Sequence, residues 1–320
     1  MLTPYYETKL GKLYHGDCLW SKVEKTEQLI IDWVDAWGLD HVAVSVSGGK
    51  DSGVLLHIAR SIYPNIKGVF SNTGLEYAEI VSLVKGMENI DIVRPKKSFH
   101  QVIKEYGWPV ISKQVSRFVS DCQNASDRNK KTVNLRMTGI TSTGRIAPSQ
   151  KLSLKWRFLI DAPFKCSDVC CNYLKKQPLE KYYKANRIRP MVGVMRQDSI
   201  RRDKIIKKNG CNMYDLKNPL SYPLADWTDK DVWEYTHKYN VPYASVYATG
   251  ESRTGCVFCM FGIMYDKDRF IRLKRNSPKQ WDFVINKLNG KKVLDFIGIE
   301  TGINEPKRLK QETSQLKLFA

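Results

Sequence analysis

The sequence lacks any apolar run long enough to cross a membrane. No stretch approaches the 18 or more consecutive apolar residues that a spanning helix needs. The first residues, MLTPYYETKLGKLY, also lack the apolar core of a secretory signal. We therefore expect a cytoplasmic protein with no membrane partner.

Acidic residues are scarce relative to basic ones. The 320 residues include 52 Lys or Arg against 33 Asp or Glu, which gives a formal net charge of +19. Such an excess favours a polyanionic partner, most simply nucleic acid, although abundant lysine can also serve solubility alone. The apolar fraction of 42% is ample for a core without disulfides.

Histidine is also scarce, and the five that are present are dispersed with no metal-ligand spacing. The eight cysteines are more informative. In the cytoplasm they are poor candidates for disulfides, so clustered cysteines indicate metal or redox chemistry.

Short β-branched segments alternate with helical segments through the first third of the chain. Residues 41–47 read as a buried strand, and residues 51–63 carry apolar side chains at helical spacing. Further strands are predicted at 66–71, 90–93 and 189–195, and further helices at 76–87, 98–106 and 228–240. This alternation predicts an α/β fold with a doubly wound, mostly parallel sheet and helices on both faces.

The remaining segments differ from the first third of the chain in composition and charge. Residues 113–157 contain ten Lys or Arg against two acids, with scattered Ser, Thr, Asn and Gly, and are predicted to form an irregular basic insertion. Such an insertion is either a solvated loop or a basic flap over a phosphate-rich substrate. From residue 266 we expect basic helices and then a polar tail. The predicted organisation is an N-terminal arm (1–30), a nucleotide-binding half (31–112), the basic insertion (113–160), a second half with the cysteines (161–265), and a basic helical C-terminal region with its tail (266–320).

The segment VSVSGGKDSGVLLHIA, residues 44–59, places glycines at a strand-to-helix turn. Gly48 and Gly49 permit close approach of the backbone to a phosphate, and the N-terminus of the next helix supplies N–H donors. Lys50 can neutralise phosphate charge, whereas Asp51 suits a helix cap or a magnesium site. Ser47 and Ser52 add hydroxyl groups. Ligands of such folds bind at the carboxyl ends of strands, where this turn falls.

SGGKDS after a hydrophobic strand resembles the signature of the PP-loop ATP pyrophosphatases. Three further segments are similar to the phosphoadenosine phosphosulfate (PAPS) reductase family: SNTGLEY at 71–77, GVMRQDS at 193–199 and YPLADWTDKDVW at 222–233. The resemblance implies an adenine nucleotide alpha hydrolase-like fold that binds ATP with Mg²⁺, or an adenylated sulfonucleotide. It implies as nucleotide-binding residues Ser47, Gly48, Gly49, Lys50, Asp51, Ser52, Asn72, Thr73, Gly74, Gly193 and Arg196, of which Lys50 and Asp51 are also catalytic candidates.

Two cysteine pairs lie far apart in the sequence. Cys170 and Cys171 are adjacent, and Cys256 and Cys259 form a CxxC motif. The set resembles the iron–sulfur ligands of assimilatory adenylylsulfate (APS) reductases, which implies a [4Fe-4S] cluster, with zinc as the alternative for four thiolates. Cys166 is a spare thiol nearby: a fifth ligand, a persulfide carrier with a catalytic role, or inert.

Sulfonucleotide reductases attack sulfur with a cysteine of a C-terminal Glu-Cys-Gly element. This sequence has no cysteine after Cys259, so we expect the reductase route to be closed unless Cys166 substitutes.

Three functions remain open. The first is ATP-dependent adenylation for sulfur transfer onto a nucleic acid, tRNA or DNA, resembling cluster-bearing tRNA thiolation enzymes and the PP-loop component of DNA phosphorothioation systems. The second is an APS or PAPS reductase that releases sulfite, and the third is a catalytically silent nucleotide- or nucleic-acid-binding module. A cysteine desulfurase is the candidate sulfur donor, and a homodimer is the candidate assembly. The candidate nucleic-acid contacts are Lys130, Lys131, Arg136, Arg145, Arg201 and Arg202.

Overall fold

The computed structural model describes residues 6–8, 11–13, 19–251 and 254–301. The chain divides into two compact units. The first contains the residues up to Asn72 together with Glu76–Arg94 and Gln177–Gly255, and the second contains Thr73–Leu75, Pro95–Lys176 and the residues from Cys256 onward. Within the described ranges, no helix combines the length and apolar character needed to cross a bilayer.

The strands in chain order are β1 (Tyr6–Thr8), β2 (Gly11–Leu13), β3 (Val42–Val46), β4 (Lys67–Ser71), β5 (Ile90–Val93), β6 (Val110–Ile111), β7 (Arg189–Val192), β8 (Asn212–Met213), β9 (Leu220–Ser221) and β10 (Met260–Phe261). The α-helices are α1 (Leu19–Trp37), α2 (Lys50–Ile62), α3 (Ala78–Lys85), α4 (Phe99–Tyr106), α5 (Lys113–Gln123), α6 (Lys130–Thr138), α7 (Gln177–Ala185), α8 (Ile200–Asn209), α9 (Asp229–Lys238), α10 (Arg269–Asn276), α11 (Pro278–Asp282) and α12 (Gly290–Phe296).

A six-stranded sheet forms the centre of the first unit. Its strand order is β5-β4-β3-β7-β9-β8, and every neighbouring pair is parallel except β8 with β9. The chain builds outward from β3 to β5 and then returns to the other side of β3 as β7. The doubly wound fold is therefore confirmed, and the strand order reverses between β3 and β7, which is where such sheets bind ligands.

The central strand β3 is apolar along nearly its whole length because helices cover the sheet. Its sequence VAVSV is buried except at Ser45, which is partly buried, as expected for a parallel strand covered on both faces. The adjoining α2 buries Val54, Leu55 and Ile58 at helical spacing. The strand and helix predicted from residues 41–63 are thus confirmed to within about a residue.

The second unit contains two α-helices where an irregular insertion was predicted. Helix α5 begins after Ser112, whose hydroxyl accepts a hydrogen bond from the Val115 N–H, and α6 follows. That prediction was wrong because it weighed polar composition over the spacing of Phe118, Val119 and Cys122, which α5 buries. The lysines Lys113, Lys130 and Lys131 of these helices are exposed, whereas Arg136 of α6 is buried.

The helical prediction for the C-terminal region is confirmed by α10, α11 and α12, which belong to the second unit. Strands β6 and β10 pair in parallel there, with Met260 opposite Val110. The predicted polar tail lies beyond residue 301, outside the described residues, and much of the predicted N-terminal arm likewise falls among residues that are not described.

Candidate nucleotide and metal sites

The turn between β3 and α2 is built for close approach of a ligand. Gly48 has φ +71°, in the left-handed region that glycine adopts without strain. Gly49 is the N-cap of α2 and makes no side-chain cap. The Ser52 hydroxyl donates to the Gly49 carbonyl at 2.9 Å and accepts from the Ser47 N–H at 3.0 Å. These bonds hold the turn shape and leave the helix start without a carboxylate cap.

Two glycines of the first unit lie where a methyl group has no room. A Cβ on Gly49 would lie 2.5 Å from the Thr254 Oγ1, and one on Gly193 would lie 3.0 Å from the Asp51 carbonyl oxygen. Gly193 follows β7, so the carboxyl ends of β3 and β7 meet at this turn. The predicted residues 47–52 and Gly193 are thus brought together.

Lys50 is buried and its amine binds two carboxylates. The Nζ lies 2.8 Å from the Asp51 Oδ1 and 2.6 Å from the Asp229 Oδ1. Burial by itself lowers the pKa of Lys50, but the hydrogen bonds to Asp229 and Asp51 outweigh it and raise the pKa. Burial also raises the pKa of Asp51, and the Lys50 hydrogen bond opposes this only in part. The amine is therefore charged and its charge is already balanced by two acids.

Tyr247 occupies the first N–H donor of α2. Its hydroxyl accepts from the Lys50 N–H at 3.0 Å and lies 3.4 Å from the Thr254 Oγ1. Tyr247, Thr254 and Asp229 were not predicted as site residues. Asp229 lies within the family-like segment YPLADWTDKDVW, between the capping residues Thr228 and Asp231. Tyr247 carried no sequence signal, because a lone tyrosine has no characteristic spacing.

The other predicted nucleotide contacts are placed differently. The Arg196 Nε donates to the Asp226 Oδ1 at 2.6 Å, and this hydrogen bond raises the pKa of Arg196. Asn72 follows β4 in the first unit, whereas Thr73 and Gly74 belong to the second. Arg196 is therefore engaged by an acid, and the predicted 72–74 turn is divided between the two units.

The four predicted metal-ligating cysteines line one cleft of the second unit. Cys170, Cys171, Cys256 and Cys259 share it with Leu75, Phe99, Pro109, Leu174, Lys175 and Phe258. The thiol of Cys170 donates to Cys171, and this bond, aided by Lys113 and Lys175, lowers the pKa of Cys171 to about 6 against the effect of burial. The same interaction and burial raise the pKa of Cys170, and burial raises that of Cys259.

The donor chemistry of this cleft fits a thiolate-bound metal centre. Four soft sulfur donors converge, one already favoured as thiolate, and apolar side chains exclude water around them. In the described part of the chain, however, no group of three or more Cys, His, Asp or Glu is already spaced as a metal-ligand set. The cleft therefore supplies four thiol donors that are not yet arranged as a ligand set.

Cys166 does not line the four-cysteine cleft. Its side chain is fully buried, and its backbone N–H donates to the Gln123 Oε1 at 2.8 Å. It also forms an isolated parallel β-bridge with Trp108. Burial raises its pKa to about 12. A buried, protonated thiol is a poor nucleophile, which disfavours the predicted catalytic role of Cys166.

The predicted nucleic-acid contacts divide into exposed and buried residues. Lys130, Lys131 and Arg145 of the second unit are exposed, as are Arg201 and Arg202 of the first, where Arg202 pairs with Asp198. Arg136 is only 4% exposed. Its Nε donates to the Asp121 Oδ2 at 2.8 Å and its Nη1 to the Gln150 Oε1 at 2.8 Å. Arg136 therefore stabilises the fold and is dropped from the contact set.

The family model of the phosphoadenosine phosphosulfate reductase domain matches residues 41–261, and the chain belongs to this family. Family members bind adenylyl nucleotides and are enzymes. Among curated proteins, the chain is 27% identical to the uncharacterized protein MJ0066 of Methanocaldococcus jannaschii, over 75% of this chain and 40% of that protein. It is 22% identical to the adenosine 5'-phosphosulfate reductase of Bacillus cytotoxicus, over 72% of this chain and 77% of that one. The chain spans less than half the length of the M. jannaschii proteins that it matches: 40% of MJ0066 and 45% of a second one, the uncharacterized protein MJ0973.

Solved structures are similar at lower identity. A phosphoadenylyl-sulfate reductase from Candida auris matches with 14% identity and a TM-score of 0.41, over 74% of this chain and 91% of that chain. The U34-tRNA thiolase NcsA from Methanococcus maripaludis, solved with its [4Fe-4S] cluster, matches with 16% identity and a TM-score of 0.39, over 91% of this chain and 84% of that chain.

Proposed function

We propose that this protein is a PP-loop enzyme that adenylates a nucleic acid acceptor with ATP and Mg²⁺, releases pyrophosphate and enables sulfur transfer to the activated position. The observation that carries the proposal is the turn at residues 47–52. There the two glycines leave the backbone open at the N-terminus of α2, beside the buried amine of Lys50. This arrangement suits a polyphosphate.

The chain's own residues divide the phosphate chemistry among them. The N–H groups of Gly49 and Lys50 bind phosphate oxygens once their present acceptors, the Ser47 and Tyr247 hydroxyls, withdraw. The Lys50 amine stabilises the charge that develops on the leaving pyrophosphate. The acceptor oxygen forms a bond to the α-phosphorus while the bond to the β-bridging oxygen breaks. Asp51, at the first turn of α2, is the candidate carboxylate for Mg²⁺.

The cleft of four cysteines is the proposed cofactor site. Cys170, Cys171, Cys256 and Cys259 would hold a [4Fe-4S] cluster, with zinc as the alternative metal. When bound, such a cluster would offer an iron site for the sulfide to be transferred if one of the four thiolates left its iron. Phe99 and Phe258 would limit water at the cleft. A cysteine desulfurase as donor, a homodimer and a cytoplasmic location remain predictions.

The net charge of +19 supports a nucleic acid as acceptor. The exposed Lys130, Lys131 and Arg145, with Arg201, are the candidate phosphate contacts. A sulfonucleotide reductase is the second candidate, since APS reductases are similar over 72% of the chain.

Product analysis separates the two candidates. With ATP, Mg²⁺ and bulk tRNA or DNA, the first predicts pyrophosphate release that depends on nucleic acid. With APS or PAPS and a thiol reductant, the second predicts sulfite. Release of sulfite without any nucleic acid binding at low salt would replace our proposal by the reductase.

Charge reversal tests the acceptor class. The double variant Lys130→Glu/Lys131→Glu should bind nucleic acid several-fold more weakly. The salt dependence of its affinity should also be less steep, because binding then neutralises fewer phosphates and releases fewer counterions. ATP affinity should stay unchanged, since neither residue belongs to the predicted nucleotide contacts. Filter binding at several salt concentrations gives the slope. An unaltered slope would remove α6 from the proposed interface.

Asp229 is expected to compete with ATP for Lys50. Asp229→Asn removes one of the two carboxylates that balance the amine, so ATP should bind more tightly, by up to about fivefold because the Asp229 side chain is 62% exposed and its pair is worth at most about 1 kcal/mol. Calorimetric titration with Mg-ATP measures the change. Asp35→Asn, which removes one exposed carboxylate elsewhere in the first unit, is the control. Weaker ATP binding in Asp229→Asn would instead make Asp229 part of the nucleotide site.

A further inference from the structure

The second unit contains a pocket of about 270 Å³ that the proposed chemistry does not use. Its wall is apolar and includes Trp108, Phe164 and Val293, and its rim carries His100, Lys104 and Lys292. No acidic residue lines it. The pocket therefore combines apolar and aromatic lining residues with two lysines and no acid.

The rim lysines have no partners among the described residues. Lys104 and Lys292 are exposed and make no hydrogen bond or ion pair there, whereas the adjacent Lys291 lies 2.7 Å from the Asp295 Oδ2. Two unpaired cations on the rim of one pocket favour an anionic occupant by charge complementarity.

The aromatic wall is held in a fixed position. The backbone N–H of Trp108 donates to the Lys165 carbonyl at 2.7 Å, and the backbone N–H of Ser167 donates to the Trp108 carbonyl at 2.8 Å. The Trp108 ring packs edge-on against Phe258, with centroids 5.5 Å apart, and against Phe99 at 6.2 Å. Phe99 and Phe258 also line the cysteine cleft, so the pocket and the cleft share one layer of three packed rings.

We propose that this pocket receives a single nucleotide splayed out of a nucleic acid strand. The base lies against Trp108 and Phe164, and its phosphate lies at Lys104 and Lys292. The volume of about 270 Å³ lies just below the range for ligand pockets, roughly 300–1,000 Å³, so the pocket has room for one base and excludes a duplex. Unstacked bases bind aromatic walls with basic rims in this way. This inference rests on the proposed nucleic acid acceptor.

Binding of a labelled single-stranded 12-mer of thymidylate, followed by fluorescence anisotropy at low salt, tests the rim. Lys104→Glu and Lys292→Glu should each weaken binding by about tenfold. Lys291→Glu makes the same charge change one residue away from the rim, on a side chain paired with Asp295, and should change the affinity by less than about twofold.

A base-free 12-mer of abasic sugar-phosphate tests the wall. Wild-type protein should prefer the thymidylate strand, and Phe164→Ala should reduce that preference by about tenfold while leaving abasic binding unchanged. Phe164→Leu keeps apolar bulk without a ring and should show the same loss of preference if Phe164→Ala fails to fold.

Three outcomes would overturn the pocket assignment: an equal loss in Lys291→Glu, no loss in either rim variant, or no binding of the thymidylate strand by the wild type. Pyrophosphate release is measured separately on the same proteins. A pocket that binds thymidylate in a protein that releases no pyrophosphate would remove the proposed function and leave the pocket standing. Pyrophosphate release with unaffected rim variants would do the reverse.

Discussion

Gly49→Ala is expected to weaken ATP binding strongly. The added methyl group would lie 2.5 Å from the Thr254 Oγ1, 3.2 Å from the Ser47 Oγ and 3.3 Å from the Tyr247 hydroxyl. Either these three hydroxyls or the turn itself must shift, and both lie where a phosphate needs backbone N–H groups. Overpacking of this kind costs about 1–3 kcal/mol, so affinity for Mg-ATP should fall by up to about a hundredfold.

Gly53→Ala is the matched control, because Gly53 lies in the same helix α2. Its added methyl group would meet only the Pro242 carbonyl at 3.7 Å and Val241 at 4.0 Å, which are ordinary contacts. This change should leave ATP binding intact and stabilise the helix by up to about 1 kcal/mol. Equal ATP affinities in Gly49→Ala and wild type would remove the turn from the nucleotide site.

Cys256→Ser is expected to cost the protein its metal centre. Anaerobically purified wild-type protein should carry about four irons per chain and absorb broadly at about 400 nm, as thiolate-bound clusters do. Serine offers a hard oxygen in place of one of four thiolates in the cleft, so iron content and colour should fall to near background.

Cys211→Ser is the control for this measurement, because Cys211 belongs to the first unit and does not line the cleft. It should keep its iron. Cys166→Ala should keep its iron as well, since that buried thiol does not line the cleft. Colourless wild-type protein with about one zinc per chain would favour the structural-metal alternative.

The periodic parts of the fold could be predicted from the sequence. Strand β5 was predicted at its observed bounds, and Ser98 and Thr228 both cap helices that the spacing indicated. These elements follow from local patterns of apolar and capping residues, which need no knowledge of distant contacts.

The contacts of the phosphate turn could not be predicted in the same way. Tyr247 and Asp229 meet Lys50 across nearly two hundred residues of sequence, and no local pattern encodes such a meeting. Arg136 shows the opposite error: composition placed it on a basic surface, but its partners Asp121 and Gln150 draw it into the interior of the second unit. Net charge describes the chain, whereas burial of one guanidinium depends on which acid lies beside it.

The four-cysteine cleft joins parts of the chain that are synthesised far apart. Cys171 and Cys256 are separated by 84 residues, most of which belong to the first unit. The β6–β10 pairing, which brings Ile111 beside Phe261 next to the CxxC segment, spans a still longer separation. Long-range contacts of this kind form late in folding because closing a long loop is entropically costly. Loading of the proposed metal would therefore follow translation of the CxxC segment, because a ribosome-bound chain that ends before residue 256 presents only Cys170 and Cys171 of the four thiols.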